Sequence, residues 1–115
     1  MLLEIDGRKV RTEADLHQFL ARALDFGPYY GANLDALWDR LSMGVPRPVV
    51  VVWTDWQVSE RNLGAERFER IRGLLRAVEA EDREAGHEER FTFELDDLFV
   101  PKEPPAVDEL RQRQG

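Results

Sequence analysis

The apolar residues of the chain fall into short blocks, and three of these have the length and composition of β-strands. They cover residues 2–5, residues 49–53 and residues 91–95, and an Asp-Gly turn signal follows the first. The middle block is apolar without alternation, which predicts a strand buried on both faces in the middle of a parallel sheet. The last block alternates large apolar with polar residues, which predicts a strand with one face less buried.

Between the strand blocks, apolar residues recur at helical spacing. A first helix is predicted to begin at Thr12, because its hydroxyl can cap the helix and Asp15 completes an acidic variant of the capping box. This helix ends near Asp25, where a Gly-Pro pair follows. A second helix is predicted to follow the capping residue Asn33 and to end before Gly44.

Two further segments complete the order of elements. Residues 65–85 predict a long helix with a buried apolar stripe, whereas residues 54–63 are ambiguous and could hold a short helix. Strands separated by helices indicate an α/β fold with a parallel sheet and crossover connections. We divide the chain into a domain over residues 1–95 and a C-terminal extension over residues 96–115. The extension is either a surface tail or a short added helix at residues 105–113.

Composition limits the possible classes of protein. The 115 residues are 43% hydrophobic, which suffices for a single core. The N-terminal sequence is too short and polar for a signal peptide, and the chain lacks an apolar stretch of membrane-spanning length. These features predict a cytoplasmic protein without a membrane partner. The absence of cysteine excludes disulfides, thiolate catalysis and thiolate metal sites.

The net charge of −7 bears on the kind of partner. An acidic surface repels phosphate backbones, which argues against direct binding of nucleic acid. The same surface attracts basic proteins and speeds encounter with them. The alternative is that the charge only keeps the protein soluble.

Paired acids on the second predicted helix are the main candidate for a binding site. At roughly 100° per residue, Asp35 and Asp39 lie together on one exposed flank. Like charges at this spacing oppose the helix by roughly 0.2–0.5 kcal/mol. A solvated acidic face that binds nothing is the alternative interpretation, with Arg40 as a possible partner of Asp39. The apolar face of the helix consists of Leu34, Leu37, Trp38 and Leu41.

Two tyrosines precede this helix. Tyr29 and Tyr30 lie in the loop of residues 28–31, beside the paired acids. Tyrosine is enriched at binding hot spots, since its ring is large and rigid and ends in a polar group. The alternative is that one of the two rings covers the core. An aromatic loop followed by a capped acidic helix is suited to entering a cationic cleft, where its carboxylates would take the place of a phosphate.

The chain resembles the barstar family of ribonuclease inhibitors. The match begins with the first strand and Asp6-Gly7 and covers roughly residues 1–95. It includes Asp15-Leu16-His17, and it continues through Pro48, the valine strand and Trp53. It is most specific in the run YYGANLDALWD of residues 29–39.

This resemblance implies both a fold and a function. The fold is a three-stranded parallel sheet packed against helices in two layers, with a cis peptide bond before Pro48. In this family the second helix and its preceding loop plug the active site of a small secreted ribonuclease, where the acids face residues that hold RNA phosphate. Among the residues that this resemblance implies for binding the ribonuclease, Asp39 is expected to matter most. The predicted partner-binding residues are Tyr29, Tyr30, Asn33, Asp35, Trp38, Asp39, Ser42 and Gly44.

The sequence differs from the family pattern at three places, and these differences bear on which ribonuclease is the target. The family has an aromatic residue in the turn after the second helix, where this chain has Ser42-Met43-Gly44-Val45. The proline of the loop that carries the two tyrosines stands at a different position relative to them than it does in the family. The family also uses an acid from the long helix, and here Arg76 stands near that place, with Glu79 as a possible substitute.

The resulting prediction is a non-enzymatic inhibitor that forms a 1:1 complex with a small basic, guanyl-preferring ribonuclease and needs no cofactor or metal. The alternative is a barstar-like immunity protein that neutralises a different nuclease toxin. An enzyme is disfavoured, because His17 and His87 have no nucleophile nearby in the sequence and no phosphate loop or metal-ligand spacing is present. An acid–base or cation-binding role for Asp35 and Asp39 has only weak support.

Overall fold

The computed structural model describes residues 1–96, which form a three-stranded parallel sheet and four α-helices. The valine strand, residues 49–54, lies between the other two strands, as predicted. No helix within residues 1–96 is both long and apolar enough to cross a membrane. Apart from Asp96, the predicted extension falls outside the described residues, as does its possible helix. In chain order the elements are β1 (Leu2–Asp6), a 3-10 turn (Gly7–Lys9), α1 (Glu13–Ala23), α2 (Leu34–Met43), β2 (Val49–Thr54), α3 (Trp56–Leu63), α4 (Ala65–Glu84) and β3 (Phe91–Leu95).

The ends of the first two helices follow the predicted capping signals. Thr12 Oγ1 accepts the Asp15 N–H at 3.1 Å, and the Asp15 carboxylate accepts the Thr12 N–H at 3.1 Å, which completes the capping box. Asn33 Oδ1 accepts the Ala36 N–H at 2.8 Å and starts α2, which ends at the cap residue Gly44. The cis peptide bond before Pro48 is also present.

The core lies between the helices and one face of the sheet. Val49, Val51 and Trp53 of β2 are buried, whereas Val50 and Val52 are only half-buried. The prediction that β2 is buried on both faces is therefore wrong. Within the described residues the helices cover one face, and the opposite face carries exposed glutamates from β1 and β3. The unbroken valine run reflects the central position of β2, because side chains of both neighbouring strands shield it even without a second helical layer.

Side chains of α4 cover the free edge of β3. Asp82 Oδ2 accepts the Phe91 N–H at 2.8 Å, and Glu79 Oε2 accepts the Phe93 N–H at 3.1 Å. Arg76 donates to the Phe93 carbonyl oxygen. Residues three apart lie on one face of a helix, which lets all three reach the same strand. Unpaired groups on an edge strand invite pairing with another chain, so these contacts protect this edge.

A close approach of backbones joins the 3-10 turn to the end of β2. The Gly7 carbonyl oxygen accepts the Ser59 hydroxyl at 2.8 Å, and Ser59 in turn accepts the Trp53 indole N–H at 3.0 Å. A Cβ atom on Gly7 would lie 2.3 Å from the carbonyl oxygens of Thr54 and Asp55. Backbone atoms cannot rotate away, so only glycine fits this position.

We therefore expect Gly7→Ala to lower the free energy of unfolding by about 1–3 kcal/mol, the usual effect of overpacking. Gly73→Ala is the matched control, because Gly73 lies within α4 and nothing stands within 4 Å of its added Cβ. That variant should be neutral or stabilising by up to about 1 kcal/mol. Urea denaturation of both variants measures the difference. Equal stability of the two variants would contradict the close approach at Gly7.

Candidate protein-binding surface

The acidic flank of α2 consists of Asp35 and Asp39, and both side chains are exposed. Within residues 1–96 neither carboxylate has a hydrogen bond or an ion pair. Arg40, the possible partner of Asp39, turns away from the flank: it donates to the Phe26 carbonyl oxygen and lies over the Phe26 and Tyr30 rings, 5.5 and 5.7 Å from their centroids. The flank therefore presents two uncompensated negative charges to solvent.

Further residues extend this flank toward the C-terminal end of α2. Trp38 is half-buried and packs against the core, as predicted from the helical phase. Ser42 is also half-buried, and Gly44 is exposed. Met43, which is not among the predicted partner-binding residues, is 87% exposed. It lies four residues after Asp39, and this spacing places it on the same flank of the helix.

The two tyrosines have different roles. Tyr29 is 90% exposed and is free to contact a partner. Tyr30 packs on the core, with its ring centroid 4.8 Å from that of Phe26, and burial raises the pKa of its phenol to about 12. Its hydroxyl oxygen lies 2.6 Å from His17 Nδ1. One ring thus covers the core, and the other is exposed to solvent in the loop that precedes α2.

A buried histidine ties the tyrosine loop to α1. His17 is only 2% exposed, and its Nε2 lies 2.9 Å from Glu13 Oε2. Both ring nitrogens of this buried side chain therefore have a hydrogen-bond partner, the Tyr30 hydroxyl and the Glu13 carboxylate. Glu13 also lies 3.5 Å from Arg67 of α4. The Glu13 contact follows from the i, i+4 spacing of the two residues on α1, whereas Tyr30 lies thirteen residues away and meets His17 only in the fold.

The backbone around the tyrosine loop is held in an unusual conformation. Asp25, Gly27 and Ala32 have φ values of 56°, 83° and 55°, which lie in the left-handed region. For residues other than glycine this conformation costs roughly 1–2 kcal/mol per residue. The contacts of His17 and Arg40 oppose this cost and fix the loop. Tyr29 is therefore presented from a pre-organised segment.

The hydroxyl of Tyr30 provides a test of this anchoring. We expect Tyr30→Phe to lower the free energy of unfolding by about 1–3 kcal/mol, because buried His17 Nδ1 loses its hydrogen-bond partner. Amide hydrogen exchange in residues 29–33 should also become faster. Tyr29→Phe is the matched control and should change neither quantity, since the Tyr29 side chain is exposed. Unchanged exchange in Tyr30→Phe would contradict an anchoring role for the hydroxyl.

The long helix does not offer a free acid at the place where the family uses one. Arg76 bonds to the β3 edge, and its guanidinium lies 4.8 Å from the centroid of the Phe93 ring. Both carboxylate oxygens of Glu79 have partners, the Phe93 N–H at 3.1 Å and Arg76 at 3.2 Å. Glu79 is therefore engaged within the protein and is not a free substitute for the missing acid.

Comparison with known proteins supports the resemblance seen in the sequence. The model of the family described as "Barstar (barnase inhibitor)" matches residues 1–95. The "Putative ribonuclease inhibitor YrdF" of Bacillus subtilis (strain 168) is 44% identical over 61 residues, which are 53% of this chain and 67% of that protein. With the three-stranded parallel sheet, these matches confirm the predicted family. The chain belongs to the barstar family.

Proposed function

We propose that the protein inhibits a small basic ribonuclease by placing the acidic flank of α2 and the tyrosine loop in its RNA-binding cleft. One observation carries this proposal: Asp35 and Asp39 are exposed and lack partners among the described residues, while Arg40 is directed elsewhere. The family description and the name of the Bacillus relative both refer to an inhibitor of a ribonuclease. Neither of them names an enzymatic activity.

The physical basis of inhibition is substitution for the substrate. Carboxylates from Asp35 and Asp39 would accept charge-assisted hydrogen bonds from the cations that otherwise hold RNA phosphate. Tyr29 adds a large rigid contact beside them, and Asn33 fixes the start of the helix through its hydrogen bond to the Ala36 N–H. The net charge of −7 would speed encounter with a basic enzyme.

The remaining residues of the proposed surface have supporting roles. Trp38 links the surface to the core, and Tyr30 anchors the loop that carries Tyr29. Ser42 and Gly44 form the end of the surface, where the family aromatic is absent. We place the 1:1 complex in the cytoplasm, where an inhibitor would protect cellular RNA from a nuclease that is destined for secretion.

A second candidate function is immunity against a different nuclease toxin. It is favoured by the differences at the edges of the surface, since Arg76 and Glu79 are engaged with β3 and Met43 is exposed near the place of the family aromatic. Both functions use the same acidic flank and differ in the identity of the target.

Titration of barnase activity with the purified protein tests the first function. Stoichiometric loss of RNA cleavage at a 1:1 ratio is expected, with a complex of that composition on gel filtration. Undiminished cleavage at a large molar excess would contradict a barnase-like target. Capture of a different nuclease from the native secretome, identified by mass spectrometry and then inhibited in solution, would instead favour the second function.

A further inference from the structure

The open face of the sheet is the one that the helices of residues 1–96 leave uncovered. Because alternate residues of a strand point to the same face, the strand register places two rows of side chains there. These rows are Leu2, Val50 and Thr92, and then Glu4, Val52 and Glu94. Leu2 is 64% exposed, and Val50 and Val52 are half-buried. The open face therefore leaves apolar surface in contact with water.

The two acids of the open face limit what can cover it. Glu4 and Glu94 are exposed, and neither has a hydrogen bond or an ion pair within residues 1–96. They lie on either side of Val52, on strands that are about 10 Å apart. A second copy of this chain would bring its own pair of acids to the same surface, and like charges would oppose the contact. A fitting occupant has an apolar centre with a cation on each side.

The chain itself carries a segment with this pattern after the sheet. Residues 105–113 read PAVDELRQR and are the possible helix of the C-terminal extension. At roughly 100° per residue, one side of such a helix is apolar and consists of Ala106, Val107 and Leu110. Arg111 and Arg113 lie on the two flanks of this apolar stripe, whereas Asp108 lies opposite it. The segment therefore combines an apolar centre with a cation on each side.

The connection between β3 and this segment is long enough for a return over the sheet. Residues 97–104 can span at most about 26 Å when fully extended. The five residues of β3 cover about 17 Å, and a helix over residues 105–113 would be about 13 Å long. Pro105 suits the first turn of such a helix, where a backbone N–H is not needed. The segment can therefore lie along the strands of the open face.

We propose that residues 105–113 dock as a helix on the open face and form a second layer on the sheet. The apolar stripe packs on Val50 and Val52, and the two flanking arginines pair with Glu4 and Glu94. The aliphatic parts of the arginine side chains extend the apolar contact. This inference does not depend on the proposed function, because the helices, α2 among them, lie on the opposite side of the sheet.

A spin label tests the docking in the full chain. The sequence contains no cysteine, so Gln112→Cys, on the side of the helix away from the apolar stripe, provides a single labelling site. We expect the nitroxide to broaden the methyl NMR signals of Val50 and Val52 much more than those of Val78, which is buried on the other side of the sheet. The same chain with the reduced, diamagnetic label is the reference. Signals of Val50 and Val52 that are not preferentially broadened would overturn the docking.

Charge reversal tests the ion pairs in the same labelled chain. Arg111→Glu/Arg113→Glu should abolish the broadening, since four like charges then meet on the open face. Adding Glu4→Arg/Glu94→Arg should restore it, because the pairs form again with their signs exchanged. Failure of this restoration would overturn the pairing.

The apolar stripe is tested by two variants that add the same charge. Leu110→Glu should lower the melting temperature by about 4–8 °C, a shift that a modest loss of stability produces in a domain of this size. Gln112→Glu, on the opposite side of the helix, should leave it unchanged. Equal melting temperatures would contradict the docking. In a mixture of spin-labelled and isotope-labelled chains we expect no broadening, and broadening there would overturn the proposal in favour of a second copy as the occupant.

Discussion

Replacing Asp82 with alanine is expected to lower the free energy of unfolding by about 3–5 kcal/mol, the loss typical of breaking one side of a buried ion pair. Asp82 is 7% exposed and accepts hydrogen bonds from Arg47 and from the Phe91 N–H, the latter at 2.8 Å. Without the carboxylate, a largely buried guanidinium and a buried N–H of the edge strand both lose their partner. The effect therefore exceeds that of losing one ordinary hydrogen bond.

Urea denaturation measures this loss, with Glu81→Ala as the control. Glu81 is an exposed residue of the same helix, and its replacement should change stability by less than about 0.5 kcal/mol. Equal stability of the two variants would show that the Arg47–Asp82 pair does not support the fold.

The same pair makes stability depend on pH. Hydrogen bonds from Arg47 hold the pKa of the Asp82 carboxyl below its ordinary value of 3.8. A depressed pKa in the folded state means that the stabilisation is complete above the unfolded-state value. It is lost as pH falls through the folded-state value. Wild type should therefore lose more stability on acidification below pH 4 than Asp82→Asn, for which we expect a flatter profile.

Much of the fold could be predicted because its signals are local. The Thr12–Asp15 capping box, the Asn33 cap and the alternation in β3 each depend on residues close together in sequence, and each is confirmed. Whether helices pack on one face or on both faces of β2 could not be predicted from local signals. A run of valines does not reveal whether a second helical layer exists, and in the described part of the chain the second face of the sheet has none.

The candidate site likewise has features that local spacing predicts and features that depend on long-range contacts. Helical periodicity placed Asp35 and Asp39 on one flank, because only the spacing of neighbours was needed. The direction of Arg40 and the anchoring of Tyr30 depend on contacts between residues far apart in sequence. Arg40 reaches Phe26 in the preceding loop, and His17 contacts Tyr30, which lies thirteen residues away. No local sequence pattern indicates such tertiary contacts.

Asp39→Ala is expected to weaken inhibition by at least about a hundredfold, since it leaves a cation of the enzyme buried and unpaired in the complex. Stability of the free protein should barely change, because the Asp39 side chain is exposed and has no partner within residues 1–96. A slight stabilisation is even expected from relief of the repulsion between Asp35 and Asp39. Glu4→Ala, an exposed acid on the far face of the sheet, is the control and should inhibit as wild type does apart from a small loss in association rate.

The most direct test of the account is inhibition of barnase by wild type, Asp35→Ala and Asp39→Ala over a range of ionic strength. If the acids of α2 take the place of substrate phosphate, wild type should inhibit stoichiometrically, and its association with barnase should slow as salt rises. Both variants should inhibit much more weakly at every salt concentration, with melting temperatures close to that of wild type. If both variants inhibit as strongly as wild type, the acids of α2 are only a solvated face and the inhibitory surface lies elsewhere.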